Sequence, residues 1–272
     1  QQREEGEAAA HAPILARPRP RRRLESPLRG PRATRKPLRE SAEQRAVVYG
    51  SVNPARAMVP PNQGTPSMRC TTEEAFVKTL QAHGIRDAFG IIGSAFMPIS
   101  DLFPQAGIRF WDCAHEGAGG MMADGYTRAS GRMSLMIAQN GPGITNLVTA
   151  AKTAYWNHTP LLLVTPQAAN RTIGQGGFQE VEQMALFRDM VAYQEEVRDP
   201  ARIAEVLTRV IANAKRLSAP AQINVPRDYW TREVDIDLPP ILSFERPSGG
   251  AQALDEAARL LAGARRPVLL NG

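Results

Sequence analysis

Cysteine is almost missing from this chain. Only Cys70 and Cys113 occur, in no CxxC spacing, which excludes a disulfide framework and a thiolate zinc site and makes a reducing cytoplasm the expected setting. No apolar run approaches membrane-spanning length, so no membrane partner is expected. An excess of one charge is missing from most of the sequence as well. The net charge is +6, but residues 1–67 hold 13 basic and 6 acidic side chains while residues 68–272 hold 20 and 21. A nearly neutral globular part excludes a basic groove for a phosphate backbone, so the expected partner is a small molecule and not a nucleic acid. No internal repeat is present.

What is there divides sharply at Met68. Residues 1–67 are dominated by Arg, Pro, Ala and Glu, as in "RPRPRRRLESPLRGPRATRKPLRE", with few aromatics and no sustained period. Such a segment cannot bury enough apolar surface to offset its chain entropy and reads as a disordered extension. It has no apolar stretch of the kind a secretory signal needs. The expectation is an extension upstream of a start at Met68; a transit peptide or a basic arm touching nucleic acid are the weaker readings.

From Met68 the texture is that of an alternating α/β domain. "TTEEAFVKTLQAHGI" carries a capping box, Thr71 with Glu74, then an apolar face and Gly84 as a stop. Strands are predicted at "DAFGII", "IRFWDCA", "SLMIAQ", "PLLLVTP", "VAYQEEV" and "AQINVP", with helices between them. "PLLLVTP" is continuously apolar, as in a strand covered on both faces. The predicted fold class is a parallel α/β sheet with helices on both faces over residues 68–230. Residues 231–250 read as a linker, and 251–272 as one helix and one strand that begin a second domain. Cys113, Met121 and Met122 read as core.

In an open parallel sheet, ligands bind beyond the carboxyl ends of the strands. The loops there are Gly93 to Ala95, His115 to Gly120, Asn140 to Gly143 and Pro166 to Gly177. "GPGITN" is no dinucleotide fingerprint: Asn146 replaces the third glycine, Pro142 removes an N–H, and no acid ends the next strand. Ser94 is outside any G-x-S-x-G elbow. Glu116 has two readings. It either begins a helix, where a carboxylate meets the dipole favourably, or it is a buried acid that shares a proton with a ligand nitrogen.

Four motifs stand in one order: His115 and Glu116, "ADGYTRASG" from Ala123, "NGPGITN" from Asn140, and "FQE" from Phe178. Together they make the chain resemble the acetolactate-synthase-like branch of thiamine-diphosphate enzymes, over residues 70–230. The resemblance implies a pyrimidine-binding domain in which Glu116 is catalytic, holding the ring nitrogen of thiamine diphosphate. It further implies that Gly93, Ser94, Gly141, Pro142, Gly143 and Asn146 contact the cofactor, and that His115, Gln167 and Gln179 line a substrate pocket. Arg171 and Lys152 are candidates for pairing an anionic substrate, with solvated surface as the plainer reading of both. Ile92, Gly93, Ser94 and Gly117 depart from the acetolactate-synthase pattern. They favour an acyltransferase of a small sulfonated aldehyde, with acetolactate synthase or another thiamine-diphosphate carboligase or lyase, and a non-catalytic truncated domain, as the alternatives.

In that family Mg²⁺ and the cofactor diphosphate are held by a carboxy-terminal domain carrying Gly-Asp-Gly, which occurs nowhere here. The resemblance therefore implies a fragment that assigns no metal ligand to itself, is inactive alone, and is at least dimeric in its full-length form.

Overall fold

The computed structural model describes residues 68–241 and 249–270, so the expectation for 1–67 lies outside the described residues. The elements are β1 (Met68–Thr71), α1 (Thr72–Ala82), β2 (Asp87–Gly90), α2 (Met97–Ser100), β3 (Arg109–Asp112), α3 (Glu116–Ser130) and β4 (Leu135–Ile137). They continue with α4 (Pro142–Thr145), α5 (Val148–Trp156), β5 (Leu162–Gln167), α6 (Gln183–Phe187), β6 (Tyr193–Glu196), α7 (Ile203–Leu217), β7 (Ala221–Pro226), β8 (Glu233–Ile236) and α8 (Ala251–Gly263). Helix α1 starts on its capping box: Thr71 Oγ1 accepts from Glu74 N at 3.5 Å, and Glu74 Oε2 accepts from Thr71 N at 3.0 Å. His83 is its C-cap, and Gly84 turns the chain away at φ +74°.

Six strands form one sheet in the order β3-β2-β4-β5-β7-β6, and every pairing is parallel. The chain thus adopts the expected α/β class. Side chains alternate across this sheet into two cores. Leu135, Ile137, Leu162, Val164, Ile223 and Val225 join Phe76 of α1 and Leu207 and Ile211 of α7 on one face. Phe89, Met136 and Leu163 join Ala123 of α3, Ala150 of α5 and Phe187 of α6 on the other. Each fully buried large side chain contributes about 1.5–3 kcal/mol. Helices α3 and α5 lie so close that a Cβ at Gly120 would come within 2.4 Å of Ala150 Cβ.

The second face changes character along β7. Gln222 and Asn224 are fully buried there, beside Thr165 of β5, and they interrupt an otherwise apolar surface with carboxamides that must find partners. Edge strand β6 is held to α7 by Arg209, which donates to both oxygens of Glu195 at 2.6 and 2.8 Å.

Several expectations are corrected. The linker over 231–250 contains β8, which pairs antiparallel with β1 from Met68↔Ile236 to Thr71↔Glu233; neither strand is long enough to announce itself without its partner. The expected final strand after α8 does not form over 264–270, where the described residues offer it no ladder. Met121 and Met122 are 39 % and 40 % exposed, because they lie on the side of α3 turned away from the sheet. Between β4 and β5 the helical segment is broken into α4 and α5, with Asn146 at the joint.

His83 Nδ1 is buried and has no partner. Desolvation, with the nearby positive charge of Lys215 on α7, lowers its pKa from 6.5 to about 4. The unfolded chain therefore takes up a proton near pH 6.5 that the native state refuses until about pH 4, so this group removes stability as pH falls through that window. Denaturant midpoints measured from pH 4 to 7 should show a larger fall for the natural chain than for His83→Phe. Parallel curves would refute the assignment.

Candidate active site

Helix α3 begins at the carboxyl end of β3. His115 is its N-cap, with Nδ1 accepting from Gly117 N at 3.1 Å. A neutral imidazole accepting at Nδ1 carries its proton on Nε2, so His115 offers a donor on its exposed side. Glu116 is the first residue of α3, as the first of its two readings has it. Its carboxylate sits where the helix dipole favours negative charge, and it also faces the glycine-proline-glycine bend. A Cβ placed on Gly143 would stand 3.2 Å from Glu116 Oε1 and 3.4 Å from Gln139 Cβ. Asn146 Nδ2 donates to Glu116 Oε2 at 2.8 Å. Oε1 has no protein partner among the described residues. The glutamate is half-buried, at a helix N-terminus beyond the end of a strand.

The rest of "ADGYTR" is structural. Asp124 is buried and accepts from Thr159 Oγ1 at 2.6 Å, while the Tyr126 hydroxyl donates to Asp87 at the foot of β2. These bonds fix α3 at its far end and so set the direction in which its first turn points. The Cys113 thiol donates to Gly90 O at 3.2 Å, and burial pushes its pKa up, away from thiolate chemistry. It is partly buried where full core was expected.

The bend after β4 is glycine by necessity. Gly141 has φ +72° and ψ −110°, and a Cβ there would lie 2.5 Å from the backbone oxygen of Gln179. Gly93 is equally confined, since its Cβ would meet Gln139 Oε1 at 2.3 Å. Gln139 gathers the loops: Oε1 accepts from Ala95 N at 3.0 Å, and Nε2 donates to Asn140 Oδ1 at 2.7 Å and to Gln179 Oε1 at 2.9 Å. Asn140 Nδ2 donates to Gln179 O at 3.0 Å. Gln179 itself stands at φ +60°, a conformation a side chain adopts only when its surroundings impose it. The loop from Gly93 is closed from behind by Trp230, whose Nε1 donates to Ala95 O at 2.9 Å.

The structure therefore brings Gly93, Glu116, Gly141, Pro142, Gly143, Asn146 and Gln179 into one cluster of loops, with His115 at its edge. Ser94 is exposed beside Gly93. Gln167 is directed elsewhere, accepting from Asn224 Nδ2. Lys152 is bound to Asp189 at 3.1 Å and lies over the rings of Tyr155 and Trp156, and Arg171 is exposed; neither joins the cluster. Among the described residues no group of three or more His, Cys, Asp or Glu side chains converges to hold a metal ion. A cavity of about 660 Å³ lies past β5 and β6 and shares only Gln167 with the expected residues. Sequence reasoning missed Gln139, Gln183 and Asn224. For Asn224 a signal was available, the pair of carboxamides two apart in "AQINVP", which is out of place in a strand covered on both faces.

Bare backbone at Gly143 beside a carboxylate with one free oxygen fits a flat, nitrogen-bearing ring. Residues 70–186 match the family described as thiamine pyrophosphate enzyme, N-terminal TPP binding domain. The chain is 80 % identical over 205 residues to the sulfoacetaldehyde acetyltransferase of Roseovarius nubinhibens, an alignment covering 75 % of this chain and 34 % of that protein. It is 48 % identical over 210 residues to the sulfoacetaldehyde acetyltransferase of Castellaniella defragrans, covering 77 % and 35 %. A probable acetolactate synthase large subunit of Methanocaldococcus jannaschii is 34 % identical over 208 residues, covering 73 % and 35 %. The chain thus spans about a third of the length of the curated relatives it matches.

Gly141→Ala should lower stability by about 1–3 kcal/mol, because it adds left-handed strain to a clash with main chain. Gly143→Ala, whose new methyl group meets a side chain at 3.2 Å, should cost less. Denaturant melts of both variants check the order, and a reversal would overturn this reading of the bend.

Proposed function

We propose that this chain holds the pyrimidine end of thiamine diphosphate in an acyltransferase that acts on sulfoacetaldehyde, passing its acetyl unit to inorganic phosphate with loss of sulfite. The observation that carries the reading is the pair of contacts around Glu116: Oε2 fixed by Asn146 and Oε1 free at Gly143. Identity of 80 % to a sulfoacetaldehyde acetyltransferase, against 34 % to a probable acetolactate synthase, supports this substrate over pyruvate.

Glu116 holds a proton at Oε1 and shares it with the ring nitrogen of the cofactor. Asn146 keeps the carboxyl group in one rotamer, so that the proton is presented in one direction. Gly141 and Gly143 let the ring lie against main chain, Gly93 and Ser94 bound it from the neighbouring loop, and Pro142 stiffens the bend. When bound, thiamine diphosphate would supply a carbanion that adds to the aldehyde carbon, so that the C–S bond on the neighbouring carbon can break with loss of sulfite. His115, through its Nε2 proton, and the amide of Gln179 belong to the substrate side of the same reading, while Gln167, bonded to Asn224, drops out of it.

The diphosphate and Mg²⁺ belong to a domain carrying Gly-Asp-Gly, a motif these 272 residues lack. The complete enzyme is then a cytoplasmic homo-oligomer. Exposed Met121 and Met122 on α3, with Tyr155 and Trp156 on α5, support an association surface there. No described helix is long and apolar enough to cross a membrane.

The test is a chimera in which the matching 205 residues of the Roseovarius nubinhibens relative are replaced by those of this chain. With thiamine diphosphate, Mg²⁺ and phosphate it should release sulfite from sulfoacetaldehyde, and Glu116→Gln should lower kcat by about 10²–10⁴-fold. Acetolactate from pyruvate without sulfite release, or full activity in the Gln variant, would overturn the proposal.

A further inference from the structure

The geometry points to Gln183 as a positioning residue that sets the conformation of the Gly141–Gly143 bend, and through it the fit of the cofactor ring. Gln183 is 1 % exposed and stands at the start of α6. Its carboxamide is used at both ends. Oε1 accepts from Gly141 N at 3.1 Å, while Nε2 donates to Pro166 O at 2.8 Å and to Asn224 Oδ1 at 3.0 Å. One side chain therefore ties the bend after β4 to the carboxyl ends of β5 and β7.

The direction of this amide is enforced. Asn224 Oδ1 also accepts from Thr165 Oγ1 at 2.8 Å, and Asn224 Nδ2 donates to Glu196 Oε2 at 2.9 Å and to Gln167. Asn224 cannot turn its amide over without losing these bonds, so Gln183 must face it with N–H and is left with oxygen for Gly141. Among the described residues Gly141 N–H has no other acceptor. Proline at 142 has no N–H of its own, and the next two bonds of the bend, Ile144 N to Gln139 O and Thr145 N to Gly141 O, depend on where Gly141 is placed. Gly143 lies between them, close against Glu116 Oε1. The position of the proton-holding oxygen relative to bare backbone is thus inherited from a carboxamide that does not itself reach the cleft.

A carboxylate at 183 separates this role from simple packing. Glutamate would accept from Gly141 N–H, but its second oxygen would face two acceptors, Pro166 O and Asn224 Oδ1. Only the protonated acid can donate to one of them. Gln183→Glu should therefore disorder the bend at pH 8 and recover it in part near pH 5.5, whereas Gln183→Met, equal in length and without a polar end, should be disordered at both.

The first measurement is hydrogen exchange in the 272-residue chain. In Gln183→Met the segment 139–147 should exchange at least about tenfold faster at both pH values, with α7 unchanged, because a buried N–H deprived of its acceptor favours the opened bend. The glutamate variant should do so at pH 8 only. The second measurement is the affinity of the chimera for thiamine diphosphate, which rests on the proposed function: Kd should rise at least about tenfold in Gln183→Met, and in Gln183→Glu more at pH 8 than at pH 5.5. Unchanged exchange in a folded Gln183→Met, or equal Kd in both variants and their parent, would overturn the assignment. An unsubstituted chimera that binds no thiamine diphosphate would overturn the proposed function instead, and the exchange data would still decide the role of Gln183.

Discussion

The site depends on the division of labour between the two oxygens of Glu116. A carboxylate at a helix N-terminus is attracted by the dipole whichever way it turns, so the dipole alone gives charge without direction. Asn146 supplies the direction by holding Oε2. The consequence is that α3 and α4, which follow β3 and β4 on either side of β2, must keep Glu116 and Asn146 in register. The buried Asp124–Thr159 bond and the Tyr126–Asp87 bond at the other end of α3 serve that register, although neither is near the carboxylate.

The bend after β4 obeys a different constraint. Gly141 and Gly143 are buried where a Cβ would meet neighbouring protein atoms, and glycine also has the least intrinsic preference for any one conformation. The carboxamides of Gln139, Gln179 and Gln183 restore definition by bonding the loops to one another from behind. Flexibility in the sequence and rigidity in the structure meet at this layer, whose polar groups largely satisfy one another.

Much of the fold was legible. Apolar runs separated by capped helices specify parallel strands covered on both faces, and the capping box at Thr71 and Glu74 forms as its spacing predicts. The glycine- and amide-rich loops around Gly93, Glu116 and Gly141 are found together at one end of the sheet. Strands β1 and β8 were hidden because each is four residues long and stable only against the other, with the whole parallel sheet lying between them in sequence. Gln183 was hidden for another reason: nothing in "EVEQMALF" marks which polar residue turns inward, and its role exists only once three loops have been brought to it. Met121 and Met122 misled because apolar character on a helix does not say which side faces the sheet.

The β1–β8 ladder matters beyond the cleft. Because Met68 and Ile236 are neighbours across it, the chain enters and leaves the folded unit at one point, and both junctions lie on the same short ribbon. A unit with adjoining ends can be spliced into another polypeptide, or reconnected end to end and reopened elsewhere, without pulling on its interior. Such a body behaves as a cassette: evolution can exchange what is attached to it while the geometry of its loops is carried along intact.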